Sequence, residues 1–121
     1  MEKRTLVLGA SLNPDRYSNK AMKTMMRHNI PFVALGRRDE EQNGIKISGG
    51  KPHDIGYVHT VTLYMNAENQ KPYYDYILLL NPERIIFNPG TSNPELSEIA
   101  FTAGIETVEA CTLVMLCTGA Y

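Results

Sequence analysis

"GASLNPDRYSNK" (9–20) follows directly on the apolar run "TLVLG" (5–9), and how the two are read together decides the fold. A continuous apolar run of this kind reads as a strand buried on both faces. A glycine directly after it, followed by polar residues and then a helical pattern, reads as a strand–turn–helix unit of the kind that holds phosphates. The usual dinucleotide turn is G-x-G-x-x-G, and counted from Gly9 its second and third glycines fall on Ser11 and Pro14. The second glycine lets backbone approach a pyrophosphate and the third lets the helix pack on the strand. With Pro14 in the third place the turn must be longer, and the helix is expected to begin near Ser18 as its N-cap. Ser11 offers a hydroxyl in place of bare backbone. Arg16 and Lys20 add positive charge beside a helix N-terminus, itself an anion site; the alternative is a plain strand–helix connection with polar residues.

The rest of the chain repeats the alternation. Strands are expected in "IPFVALG" (30–36), "YVHTVTLYM" (57–65), "RIIFNPG" (84–90) and "IETVEA" (105–110). Helices are expected between them. Met22, Met25, Met26 and Ile30 mark one face of the first. "PYYDYILLLNP" (72–82) is bounded by prolines. "SNPELSEIAFTAG" (92–104) has Asn93 as cap, Pro94 at the first helical position, a buried stripe of Leu96, Ile99, Ala100 and Ala103, and Gly104 as terminator. "CTLVMLCTG" (111–119) is a short last helix. "RRDEEQNGIKISGGKPHD" (37–54) reads as a long polar loop with a short edge strand at "GIKIS". The fold class is therefore α/β: a Rossmann-like, open, mainly parallel sheet with helices on both faces, in a single domain spanning 1–121.

The chain's 121 residues suffice for a core without staples. A net charge of −1 gives no bulk attraction for nucleic acid or an anionic membrane surface, so any anion site is local. Cys111 and Cys117 form neither a disulfide framework nor a zinc spacing, which points to a reducing, cytoplasmic setting. The apolar start is too short for a signal peptide, and no stretch approaches the roughly 18 apolar residues of a membrane span. No nucleic-acid or membrane partner is expected.

The end of the second strand, "ALGRRDE" (34–40), is a further test of the ligand. A binder of unphosphorylated dinucleotide places an acid there for the ribose hydroxyls. Gly36, Arg37 and Arg38 stand there instead and suit a ribose phosphate, as in NADP or coenzyme A. The alternative is a solvated pair balanced by Asp39, Glu40 and Glu41.

The segments "VLGASLNPDRYSNKAMKTMMRHNIPFVAL" and "NPGTSNPELSEIAFTAGIETVEACTLVML" resemble the small, single-domain CoA-binding proteins, related to the CoA-binding domain of the succinyl-CoA synthetase α subunit. They cover about half the chain. The resemblance implies that Gly9, Ala10, Ser11, Pro14, Arg16 and Ser18 line the turn for the CoA pyrophosphate. It also implies that Asn88, Pro89 and Gly90 face the same crevice. Where many relatives end the second strand in "VNP", this chain has "LGR"; the roles of Gly36, Arg37 and Arg38 rest on position and charge alone.

The expected function is binding of coenzyme A or an acyl-CoA by a non-catalytic or regulatory module. No catalytic triad order or P-loop is present, and His28, His53 and His59 each have a structural reading. Cys111, at the start of the last helix, is the one reactive candidate for exchange with the thiol or disulfide of CoA; the alternative is a small buried apolar residue. Two other readings stand beside this one: an NADP-binding oxidoreductase-like protein, and an interaction module that keeps the fold without a ligand.

Overall fold

The computed structural model, which describes residues 3–121, builds β1 (Thr5–Leu8) as the central strand of the sheet, buried at all four positions. There follow α1 (Tyr17–Arg27), β2 (Phe32–Leu35), β3 (Glu40–Gln42), β4 (Ile45–Ser48) and β5 (Thr60–Leu63). Then come α2 (Ala67–Gln70), a 3₁₀ turn (Lys71–Tyr73), α3 (Tyr74–Leu80), β6 (Arg84–Phe87), α4 (Pro94–Thr102), β7 (Glu106–Glu109) and α5 (Thr112–Thr118). The sheet has seven strands in the order β3-β4-β2-β1-β5-β6-β7. Every pairing is parallel except β3 with β4. The expected α/β, Rossmann-like class is what the chain adopts. Among the described residues no helix is long and apolar enough to cross a membrane.

The pleat sends alternate side chains to opposite faces, and each face is covered. Leu6, Leu8, Leu35, Leu63 and Phe87 pack under α3 and α4, against Ile77, Leu96 and Ala100. Val7, Ala34, Ile45 and Ile47 pack under α1 and α5, against Ala21, Met22, Met25 and Leu116. Truncating any of the larger fully buried side chains, Met22 or Leu63 for example, would cost roughly 2–5 kcal/mol.

Three local readings are corrected. The first helix starts at Tyr17 with Arg16 as N-cap, so Ser18 lies inside the first turn, 3% exposed, and caps nothing. Met26 is 42% exposed and leaves the buried face to Ala21, Met22 and Met25. The polar stretch after β2 holds a hairpin: β3 is the sheet edge, and "GIKIS" contains β4, paired on both sides. Asn43 (φ 53°) and Gly44 (φ 83°) make its two-residue turn, the left-handed pair that matches strand twist. The start of α4 is as read, since Asn93 Oδ1 accepts from the Leu96 N–H (3.1 Å) with Pro94 next, but its buried stripe is shorter, because Ala103 is the C-cap. Of its stripe, Leu96 and Ala100 are buried, Ile99 is half-buried and Ala103 is exposed.

Register brings Leu8, Leu35, Leu63 and Phe87 abreast at the carboxyl ends of four adjacent strands. The segments that begin at Gly9, Gly36, Tyr64 and Asn88 therefore leave the sheet side by side. The chain order reverses at β1, with β2 on one side and β5 on the other, and this switch point is where open sheets bind ligands.

Candidate functional site

At that edge lies an open cleft of about 1220 Å³. Its floor begins at Gly9, held at φ +91° by N–H bonds from Gly9 and Ala10 to the Leu35 carbonyl (both 3.0 Å). A Cβ on Gly9 would lie 2.9 Å from the Tyr64 carbonyl, so the turn needs glycine on both counts. Gly36 also has a packing reason: a Cβ there would lie 2.8 Å from the Ala10 carbonyl oxygen. The two loops meet at backbone distance.

The longer turn is held by its own polar groups. Ser11 Oγ accepts from the Asn13 N–H (3.1 Å), and Asn13 Oδ1 accepts from the Asp15 N–H (2.9 Å). Asn19 Nδ2 donates to the Ser11 carbonyl (2.9 Å), tying α1 back to the turn. Ser11 thus keeps its O–H free to donate toward the cleft. The α1 N-terminus has no side-chain cap and no acid in its first turn. Its partial positive charge faces the cleft through Tyr17 and Ser18.

Of the residues expected at the site, Gly9, Ala10, Ser11, Arg16, Ser18, Gly36, Arg37, Arg38, Asn88, Pro89 and Gly90 line this cleft. Pro14 and Lys20 do not. Pro14 shapes the turn from its exposed side, and Lys20 lies over the Tyr17 ring, 5.1 Å from its centroid. The arginines differ from one another. Arg38 pairs with Glu40 at 3.2 Å, whereas Arg16 and Arg37 have no ion-pair partner among the described residues.

Asn88 lines the cleft but turns its amide inward. Its Nδ2 donates to Thr62 Oγ1 (2.7 Å) and to the Leu63 carbonyl (2.8 Å), and its Oδ1 accepts from the Thr112 N–H (2.8 Å). Thr62 and Thr112 share a hydrogen bond (2.8 Å). Tyr64 sits beside them. Burial pushes its phenol up to about 12, and its buried Oη has no hydrogen-bond partner among the described residues. The side chain enters the cleft wall as a neutral aromatic. Cys111 is the N-cap of α5, a free thiol on the same wall.

The sequence reading missed Tyr64, Met65, Tyr73, Leu113 and Val114, which also line the cleft. Their segments carry the sequence signals of sheet and helix. The one usable signal was their place just past strand ends. They complete a division of charge. Among the described residues, all five charged ones in the lining, Asp15, Arg16, Arg37, Arg38 and Glu40, come from the stretches after β1 and β2; none comes from those after β5, β6 or β7. From the end of β2 to that of β6 is three strand spacings, roughly 14 Å.

A second hollow, of about 510 Å³, lies at the opposite end of the sheet beside Lys3, His59, Glu83, Arg84 and Glu106. Structural bonds engage its buried cation: Arg84 Nε donates to Thr60 Oγ1 and Nη2 to the Tyr121 backbone oxygen (both 2.8 Å).

Over residues 3–116 the chain matches the CoA binding domain family. The crystal structure of an uncharacterized protein is 45% identical, with a TM-score of 0.92, and the match covers 100% of this chain and 99% of that one. A hypothetical protein from Pyrococcus horikoshii OT3 is 24% identical (TM-score 0.84), over 93% of this chain and 80% of that one. A dinucleotide forming acetyl-coenzyme A synthetase from Ca. Korarchaeum cryptofilum, in complex with phosphate and ADP, is 15% identical (TM-score 0.71). That match covers 89% of this chain and 25% of the synthetase. At the two lower identities the likeness is one of fold. No curated protein matches the sequence.

Proposed function

The chain belongs to the CoA-binding domain family, and from that premise we propose that it binds coenzyme A in the cleft at the carboxyl ends of β1, β2, β5 and β6. The observation that carries the reading is the division of charge along the cleft. Coenzyme A has an anionic nucleotide at one end and a long neutral arm at the other, and the cleft has the same polarity. The pyrophosphate lies over Gly9–Ser11 and the α1 N-terminus, where Ser11 Oγ and the uncapped N–H groups donate. Arg37, exposed and without an ion-pair partner among the described residues, takes the ribose phosphate, with Arg16 beside the pyrophosphate. Among the described residues Asp15 and Glu40 are the only carboxylates in the lining, and Glu40 is engaged by Arg38. The neutral arm runs across the ends of β5 and β6, toward Cys111.

The role we read for it is to hold coenzyme A for sensing, storage or delivery, not to convert it. Against an NADP-binding oxidoreductase stand Ser11 and Pro14, which occupy the places where a dinucleotide turn has its second and third glycines.

Calorimetric titration with CoA, dephospho-CoA, NADP and NAD tests this. CoA is expected to bind most tightly. Arg37→Ala is expected to weaken CoA by about 10- to 100-fold, the worth of one charged hydrogen bond, and to leave dephospho-CoA nearly unchanged. Tighter binding of NADP would move the protein to the oxidoreductase class. No heat with any of the four would favour an interaction module.

A further inference from the structure

α5 (Thr112–Thr118) has no charged residue along its whole length. Its first turn sends Leu113 and Val114 into the cleft lining, and Val114 is 57% exposed. Half-buried Met65 and Tyr73 belong to the same uncharged half of the lining. Lys51 Nζ lies over the Tyr73 ring, 5.1 Å from its centroid, so the apolar surface free of charge is that of Leu113, Val114 and Met65, a patch suited to an apolar ligand group. The free pantetheine arm ends in a thiol, so it carries no apolar group beyond the sulfur to cover a patch at its far end.

Building on the CoA reading above, we infer that the form of the ligand this protein holds is a thioester with a short apolar acyl group seated on Leu113 and Val114. The nucleotide and pyrophosphate occupy the charged half. The arm crosses the switch point and brings the thioester to the α5 end of the cleft. The acyl chain then covers apolar surface that free CoA leaves in water. Seven helical residues span only about 10 Å, and Cys117 and Thr118 follow on the exposed side, so the patch serves a chain of a few carbons and not a fatty acyl tail.

The test is calorimetric titration of the full chain with CoA, acetyl-CoA, butyryl-CoA and decanoyl-CoA, repeated on Val114→Ser, an exposed position at which the fold tolerates change. Affinity is expected to rise about twofold to fourfold per methylene from acetyl to butyryl, as partial to full burial of each group gives, and to gain nothing further at decanoyl. Val114→Ser is expected to reduce the butyryl-to-CoA affinity ratio at least threefold. Equal affinity for CoA and butyryl-CoA, or a ratio unmoved by Val114→Ser, would overturn the acyl inference and leave CoA binding standing. Binding of none of the four would overturn both.

Discussion

Asn88 engages its amide with Thr62, Leu63 and Thr112, and so joins β5, β6 and the start of α5 at one point beneath the cleft. Its part in a site is to place the walls. The sequence put Asn88 in the crevice but could not show this inward turn, because its partners lie 24 to 26 residues away. Gly9 was legible, since a glycine after a buried strand has few other reasons to be there. Gly36 was read as a ligand contact, and its packing against Ala10 became visible only with the fold. His59 stands just before β5 and pairs its Nδ1 with Thr60 Oγ1 (2.7 Å). Burial first, and then the nearby Arg84, lower its pKa below 6.5, outweighing Glu83. The folded state therefore binds a proton here less readily than the unfolded chain does. This contribution to stability is present above pH 6.5 and is lost as pH falls through the lowered value. Melting temperature is expected to fall more steeply below pH 6.5 in the wild type than in His59→Gln; parallel profiles would contradict it.

Among the elements, α2 has four residues and is too short to show a 3.6-residue period, so the sequence reading passed over it. Its last residue, Gln70, is fully buried and links two walls of the cleft. Gln70 Nε2 donates to the Met65 carbonyl (2.9 Å) and the Thr91 carbonyl (2.7 Å), and its Oε1 accepts from Asn93 Nδ2 (2.8 Å). Asn93 caps α4, so the spacing of the two loops and the start of that helix depend on one amide. Gln70→Leu would take the donor from the Met65 and Thr91 carbonyls and leave Asn93 Nδ2 with Tyr74 Oη alone (2.8 Å), and is expected to cost roughly 3 kcal/mol. Amide exchange at Met65–Asn66 and Gly90–Thr91 should quicken more than exchange in β1, and a uniform change across the chain would contradict this role. The β3–β4 hairpin escaped the sequence reading for another reason. Glu40–Gln42 has no β-branched or aromatic residue, and only Asn43-Gly44 signalled the turn. α4 was legible because its cap, proline and terminating glycine all act locally.

At the scale of the molecule, buried apolar runs alternating with helical patterns were enough to reach an open parallel sheet, because each strand carries its own signal. The position of the first turn at the switch point follows from that topology. The division of charge across the cleft does not, since it depends on which loops the sheet order places side by side: β2 and β1 next to β5 and β6. That division underlies the proposal that one amphiphilic nucleotide spans the cleft. The most direct test is to titrate ¹⁵N-labelled protein with CoA and map the amide shifts. The account predicts that they gather at residues 9–18, 36–38, 64–66, 88–91 and 111–114, on both halves of the cleft. Shifts confined to the hollow around His59, Arg84 and Glu106, or none at millimolar CoA, would contradict it.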